Sequence, residues 1–253
     1  MVNQFFVNLI LLEQYELTKS GIVEVSDRRA EHICNVLRAG PGTSVRVGVV
    51  NGPQGQGTVV DPSADRVILR CAFDAFAPAA PKIDLLLALP RPKVMRRLWA
   101  QLAAMGVGRI ILTNACKVER AYFDTHVLQP ETYRPLLIEG LQQAQDTHLP
   151  EVSIHKQFKI LVEDELNNLF PYGGRLLADH FANDRIRNLI FDDPGLRVLV
   201  AVGPEGGWTE YELDLLKRHG FQAVSMGSRT LRADTACIAI LALVNEALAS
   251  VES

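Results

Sequence analysis

The sequence predicts an α/β protein in which a small strand-rich barrel precedes a larger domain built on a mostly parallel sheet. Three observations carry that expectation. A double-proline seam over residues 76–82, with Pro78 and Pro81, separates two stretches of different pattern and favours an extended connector. Before it, short strand-like segments are punctuated by glycine turns. After it, apolar runs alternate with segments of helical spacing, the β-α-β rhythm of a sheet with helices on both faces.

In the first stretch, residues 43–50 alternate in part. Asn51, Gly52 and Pro53, then Gly55 and Gly57, punctuate, and residues 58–60 and 66–73 follow as strands. One helix interrupts them, capped by Ser26 or Asp27, continuing through Arg38, and stopped by Ala39, Gly40, Pro41 and Gly42. Beyond the seam, residues 83–89 read as an apolar run, as expected of a strand covered on both faces. Residues 92–105 carry Met95, Leu98, Trp99, Leu102 and Met105 at helical spacing, and Gly106 closes that helix. Residues 107–113 form the next strand, and residues 128–147 a helix interrupted near Pro135. Further strands are expected at 175–179, 198–202 and 223–226. The last helix, residues 235–248, is apolar nearly all round, which requires burial in its own domain or against another subunit.

Composition narrows the class. A chain of 253 residues accommodates one or two domains and buries a core without staples. Hydrophobic residues at 48% and charged residues at 22% exclude disorder, collagen and coiled coil. The apolar run 236–244 ends at Asn245 and Glu246, too short to span a bilayer. The run 5–12 is broken by Asn8 and has no basic residue before it, so it does not read as a signal peptide. The net charge of −3 speaks against a broad nucleic-acid-binding face. Contact with RNA would then need local arginine and lysine clusters or a surface built by two subunits. Cys34, Cys71, Cys116 and Cys237 are scattered, and no cysteine or histidine pair has metal-ligand spacing. Reduced thiols and no metal are expected.

Two glycine-marked strand ends stand out. Residues 198–202 lead into Gly203, Pro204, Glu205, Gly206 and Gly207, and Thr209 with Glu212 then forms a capping box. Glycines at a strand's C-terminal edge let backbone approach a ligand, and open α/β sheets bind ligands at such edges. The spacing fits neither the dinucleotide fingerprint nor the P-loop. Alone, this motif reads as a turn. The second edge follows residues 223–226 with Gly227, Ser228, Arg229, Thr230, Leu231, Arg232, Ala233, Asp234 and Thr235, where Asp234 can cap the final helix. Arg91, Lys93, Arg96 and Arg97 form the best basic cluster, which Lys117, Arg120 and Tyr122 could extend. A solvated helix face and contact with RNA phosphate are its two readings. His32 has two readings as well, core packing and RNA contact.

The pair Gly203-Pro204-Glu205-Gly206-Gly207 and Met226-Gly227-Ser228-Arg229-Thr230-Leu231-Arg232-Ala233-Asp234-Thr235-Ala236 resembles the signature of the SPOUT methyltransferases. More narrowly, it is similar to the enzymes that methylate ring nitrogen 3 of a uridine in small-subunit (16S) ribosomal RNA. Glu31-His32-Ile33, Val36-Leu37-Arg38 and Gly40-Pro41-Gly42 are similar to that family's early helix and turn, so the likeness covers essentially the whole chain. The resemblance implies a PUA-like β-barrel RNA-binding domain at 1–75, a linker at 76–82, and a SPOUT methyltransferase domain at 83–253 with a C-terminal trefoil knot. It also implies S-adenosylmethionine as cofactor, a homodimer, ribosomal RNA or the small ribosomal subunit as partner, no membrane, and a cytoplasmic location. Carried over by residue, Val202, Gly203, Glu205 and Gly206 would line the cofactor from the first loop. Met226, Gly227, Leu231, Arg232 and Thr235 would line it from the second, with Leu177 and Ala178 as a third wall. Arg38, Arg91, Lys93, Arg96 and Arg97 are the RNA-binding candidates.

The sequence departs from the family at several points. Gln4 stands before Phe5 and Phe6 where an arginine is usual, and Ala104 replaces a glutamate ahead of Met105 and Gly106. Gln143-Ala144-Gln145-Asp146 replaces a Gln-Ser/Cys-x-Arg pattern, and Asp234 stands for a glutamate. The cofactor loops are kept while surfaces expected to meet RNA are altered. An RNA-binding or ribosome-assembly protein of the same fold, with altered or lost acceptor specificity, is therefore the alternative. For the chemistry, Arg232 is the first candidate to stabilise charge on a uracil oxygen and Arg229 the second. Glu205 has three readings: orienting the cofactor, taking the proton, or ordering loop amides.

Overall fold

The computed structural model describes residues 9–63, 65–189, 191, 193 and 195–249. The expectations placed on Gln4, Phe5 and Phe6 lie outside them. The chain divides into two units. The first takes the described residues through Ala80 together with Ile138–Leu149, and the second takes Pro81–Leu137 and the described residues from Pro150 onward.

The first unit is a curled five-stranded sheet. Its elements are β1 (Ile10–Leu12), β2 (Ile22–Val25), the short helix α1 (Arg28–Glu31), β3 (Ser44–Val49), β4 (Gln54–Pro62) and β5 (Val67–Phe73). The strand order is β1-β3-β4-β5-β2, antiparallel except for the β1–β3 pair. Inward positions alternate along β2 and β5, so Val23, Val25, Val67 and Leu69 join Ile10, Leu12, Ile33, Val47 and Val59 in one core. Asp27 caps α1, accepting from the Arg29 amide at 2.8 Å. The expected long helix through Arg38 is shorter: after Glu31 the backbone widens into a π-helical turn, His32–Val36, and Arg38 at φ +50° ends it. Strands β1 and β2, three and four residues long, were not expected: the alternation in β2 covers too few residues to mark a strand on its own.

Residues 138–149 join this unit through hydrogen bonds to the β3–β4 hairpin. Thr147, fully buried, donates from its hydroxyl to the Gly52 carbonyl, and the Leu149 amide donates to Asn51 Oδ1. A Cβ at Gly48 would stand 2.7 Å from Thr147 Cγ2, so only glycine admits that side chain. Asp146 has a local use here, accepting from the backbone amides of Thr147 and His148.

The second unit is built on a six-stranded, wholly parallel sheet. Its elements run β6 (Ile83–Ala88), α2 (Pro92–Ala104), β7 (Val107–Thr113), α3 (Pro130–Ala144), β8 (Glu151–His155), α4 (Phe158–Ile160), α5 (Leu166–Leu169), β9 (Gly174–Ala178), β10 (Val198–Val202), α6 (Glu210–Arg218), β11 (Gln222–Val224) and α7 (Ala233–Ala249). Helix α3 begins here and its last residues belong to the first unit. The strand order is β11-β9-β10-β6-β7-β8. Every residue of the central strands β6 and β10 is buried, as a parallel sheet covered on both faces requires. Trp99 lies in the apolar stripe of α2 and its indole N–H donates to the Val127 carbonyl at 3.1 Å. Helix α3 runs through Pro135, in its second turn, without the expected interruption. The apolar run 83–89 contains one buried carboxylate. Asp84 is held at 2.8 Å through both oxygens by Arg197, yet burial still pushes its carboxyl above the ordinary range.

The first unit depends on Arg29, whose guanidinium bonds Glu16, Asp27 and the Leu11 carbonyl. Burial alone would raise the Glu16 and Asp27 carboxyls, but hydrogen bonds and charge from Arg29 outweigh it, and both sit below their ordinary values of 4.5 and 3.8. Carboxyls depressed in the folded state stabilise it above their unfolded values and lose that contribution as pH falls through the folded ones. Arg29→Met should therefore cost about 2–3 kcal/mol at neutral pH. In urea titrations the gap from the parent should narrow as pH falls towards about 3. Thiol chemistry gives a second expectation. Burial pushes the Cys71 thiol up to about 11 and the Cys237 thiol up to about 12, whereas Cys116 is exposed. Mass spectrometry after brief alkylation of the folded protein should find Cys116 labelled, with Cys71 and Cys237 protected.

Candidate active site

Three adjacent strands of the second unit, β11, β9 and β10, end at one sheet edge, and the loops that follow them close around a cavity of ≈ 520 Å³. That volume lies within the range of about 300–1,000 Å³ typical of small-molecule sites. Strand β10, wholly buried, fixes Val202 and Gly203 at the edge. The turn from Pro204 to Gly207 is closed by the Gly207 amide on the Pro204 carbonyl at 2.8 Å, with Gly207 at φ +71°. A Cβ on Gly203 would stand 2.9 Å from Trp208 Nε1, so glycine there admits the indole. Trp208 is itself buried, packs on Phe158 with ring centroids 5.3 Å apart, and lines the cavity. Its buried Nε1 has no hydrogen-bond partner among the described residues.

Glu212 fixes the first loop against a second segment. The Thr209–Glu212 capping box forms as the sequence predicts: Glu212 Oε2 accepts from the Thr209 amide at 2.8 Å and hydroxyl at 2.9 Å. Its other oxygen accepts from the Cys116 amide at 2.7 Å, in the loop after β7. A carboxylate only 4% exposed is thus fully engaged. The tie carries Lys117 to the cavity, where its Nζ donates to the Gly206 carbonyl at 2.6 Å.

Of the residues singled out in the sequence, Ala178, Val202, Gly203, Glu205, Gly206, Met226, Gly227, Leu231 and Arg229 line the cavity. Leu177 is fully buried within β9, behind the lining. Thr235 is exposed on α7 and outside it. The Arg232 side chain is 73% exposed, lies outside the lining and has Nε 3.9 Å from Asp234 Oδ1. Asp234 also takes Arg97 at 3.0 Å. It stands in the first turn of α7, which starts two residues earlier than expected, and accepts from the Thr235 amide, suiting the helix's positive end. Arg91, Lys93, Arg96 and Arg97 are exposed in and just before the first turns of α2, and Arg38 is exposed in the other unit. Arg91 pairs with Glu205 at 3.1 Å.

Sequence reasoning missed Asp179, His180 and Phe181 after β9, and also Trp208; Lys117 was read only as an extension of the basic cluster, not as part of the cavity wall. The rule that ligands gather at C-terminal strand edges reaches the first three once β9 is placed beside β10. The basic cluster pointed to Lys117 but not to the cavity, because that place depends on the Glu212 tie. Asp179 turns the backbone by accepting from the Phe181 amide at 3.0 Å, and the His180 and Phe181 rings meet edge to face.

Comparison with known proteins follows the same outline. Residues 78–245 match the model of a family described as an RNA methyltransferase domain. The ribosomal RNA small subunit methyltransferase E of Treponema pallidum is 30% identical over 250 residues, covering 94% of this chain and 90% of that protein. Ribosomal RNA small subunit methyltransferase E 1 of Borreliella burgdorferi is 27% identical over 234 residues, covering 92% and 95%. Among solved structures, that of ribosomal RNA small subunit methyltransferase E from Neisseria gonorrhoeae bound to S-adenosyl methionine superposes with a TM-score of 0.76 at 20% identity, covering 95% of this chain and 97% of that one.

The two glycines of the first loop should respond differently to a methyl group. Gly203→Ala drives a Cβ into a rigid indole and should cost about 1–3 kcal/mol, with a shift in Trp208 fluorescence. At Gly206 the added atom meets only the flexible Lys117 chain, so Gly206→Ala should change the melting temperature and emission spectrum little.

Proposed function

The chain belongs to the RNA methyltransferase family that contains the enzymes named ribosomal RNA small subunit methyltransferase E, and on that premise we propose that it methylates ring nitrogen 3 of a uridine in small-subunit ribosomal RNA. The methyl donor in this reading is S-adenosylmethionine. The observation that carries it is the convergence of the loops after β9, β10 and β11 on one cavity of suitable size. The lining fits the cofactor: Gly203 allows close backbone approach, and the unpaired indole N–H of Trp208 sits buried in the wall. Val202, Gly203, Glu205 and Gly206 would hold it from one loop, Met226, Gly227 and Leu231 from the next, and Ala178 from the third. Arg232, Thr235 and Leu177, expected beside them, stand at the margin. Bound there, the cofactor supplies a methyl group activated by a positively charged sulfur.

The chain's own residues then have to align the base and manage one proton. The uracil imide becomes acceptor as its N–H is lost, and a guanidinium near a flanking carbonyl oxygen stabilises the developing charge. Arg229 lines the cavity and can serve there, while Arg232 must leave Asp234 to do so. Glu205, at the wall, is the carboxylate available to take the proton.

Further parts of the proposal rest on the family likeness. They are a PUA-like barrel at 1–75 followed by a linker at 76–82, and a catalytic domain at 83–253 with a trefoil knot. A homodimer, a cytoplasmic location and no metal complete them. The curled sheet supports the barrel, and exposed Leu243 on α7 supports a helical dimer face. Among the described residues no helix is long and apolar enough to cross a membrane. Exposed Arg38, Lys93, Arg96 and Arg97 are the proposed phosphate contacts. The loss-of-catalysis alternative gains no support from the cavity, whose lining keeps both glycine loops.

Calorimetry should show saturable binding of S-adenosylhomocysteine, and labelled methyl should pass to small-subunit RNA at a uridine nitrogen. Arg232→Ala should lower single-turnover transfer by about two to three orders of magnitude with cofactor affinity kept. A loss confined to Arg229→Ala moves the role to that residue, and no binding by folded protein rejects the whole reading.

A further inference from the structure

A smaller cavity of ≈ 170 Å³ adjoins the first and shares with it Lys117, Pro204, Glu205 and Gly206. It falls below the range for whole drug-sized ligands, leaving room for a single planar ring. Its remaining wall comes from the loops after β6 and β7, including Arg91, Glu119 and Tyr122. Two cations face this space, and the glycine loop engages both: Arg91 Nε lies 3.1 Å from Glu205, and Lys117 Nζ holds the Gly206 carbonyl. Both ties are exposed: the Lys117 bond is 2.6 Å, and the Arg91–Glu205 pair stands at 65% and 35% exposure, where such pairs contribute little.

A second observation concerns α2. Arg91 is its N-cap and Lys93 lies in its first turn, with no acidic residue there. Cations at the positive end of a helix dipole oppose it, so this placement serves something other than the helix. An electronegative ligand at that end relieves the conflict. Tyr122 adds an aromatic surface of the kind unstacked bases pack against. Hydrogen bonding to Glu119 raises the Tyr122 pKa, keeping the hydroxyl neutral.

We propose that the smaller cavity receives the acceptor base itself, and that Arg91 binds a uracil carbonyl oxygen there after exchanging its contact with Glu205. The assignment rests on the methyl-transfer reading above and deepens it: the wall shared by the two cavities is where donor and acceptor meet. Arg91 is then a base-binding residue, distinct from the phosphate contacts proposed for its neighbours on α2. The exchange also frees the Glu205 carboxylate at that shared wall.

The test compares wild type, Arg91→Ala, Arg91→Lys and Lys93→Ala in single-turnover methylation of transcribed small-subunit RNA and of small subunits lacking the modification. S-adenosylhomocysteine calorimetry and the salt dependence of RNA binding are measured beside it. Arg91→Ala should slow transfer about a hundredfold at saturating RNA and cofactor. Its S-adenosylhomocysteine affinity and salt slope should stay near wild type, and Arg91→Lys should recover part of the rate. Lys93→Ala should weaken RNA binding and flatten the salt slope. Arg91→Ala behaving like Lys93→Ala overturns the assignment in favour of a phosphate contact. Loss of cofactor affinity in step with rate overturns it in favour of a loop fastener. Wild-type protein that transfers methyl to neither RNA overturns the underlying reading, and this one with it.

Discussion

A buried carboxylate with three donors holds the site together. Glu212 caps α6 through Thr209 and at the same time accepts from the Cys116 amide, so one side chain joins the turn after β10 to the loop after β7. Burying a charge is costly unless its lone pairs are filled, and here they are. Because all three donors are needed, neither loop can drift without leaving part of that carboxylate unpaired. The position of Lys117, and through it the Gly206 carbonyl, follows from this constraint. So does the wall between the two cavities.

The sheet supplies the rest of the placement. Strands β6 and β10 are buried on both faces and fix the height of the edge from which the loops depart. The order β11-β9-β10 brings three loops that are distant in sequence to one side of the cavity. The segment after β9 is anchored to β11 through the Asp179 amide on Val224 and the Ser225 amide on Asp184. Backbone bonds thus hold the wall that carries His180 and Phe181.

Electrostatics around the site are arranged as exchangeable pairs. Arg91 rests on Glu205, while Arg97 and Arg232 converge on Asp234. These pairs are partly exposed, so each guanidinium can trade its carboxylate for a ligand oxygen with little loss. A chain of net charge −3 can therefore still offer RNA a local concentration of cations.

Much of the second unit was legible in the sequence because its signals are local. The strand ends at Val202 and Thr113, the helix from Pro92, and the Thr209 capping box each depend on neighbours within a few residues. The glycine loops were legible for the same reason: a turn that needs Gly207 at positive φ states the need in its own residues. The first unit was less so, since β1 and β2 are only three and four residues long and are defined mainly by partners across the sheet. Residues 138–149 join that unit through Thr147 beneath Gly48, a fit between surfaces that no local pattern encodes. Likewise, the sequence determined that Arg229 and Arg232 share a loop, but the fold decided that Arg229 lines the cavity while Arg232 turns to Asp234. Conformational preference is written residue by residue, whereas which side chains share a cavity depends on strand order and on contacts between distant segments, and these exist only once the chain has folded.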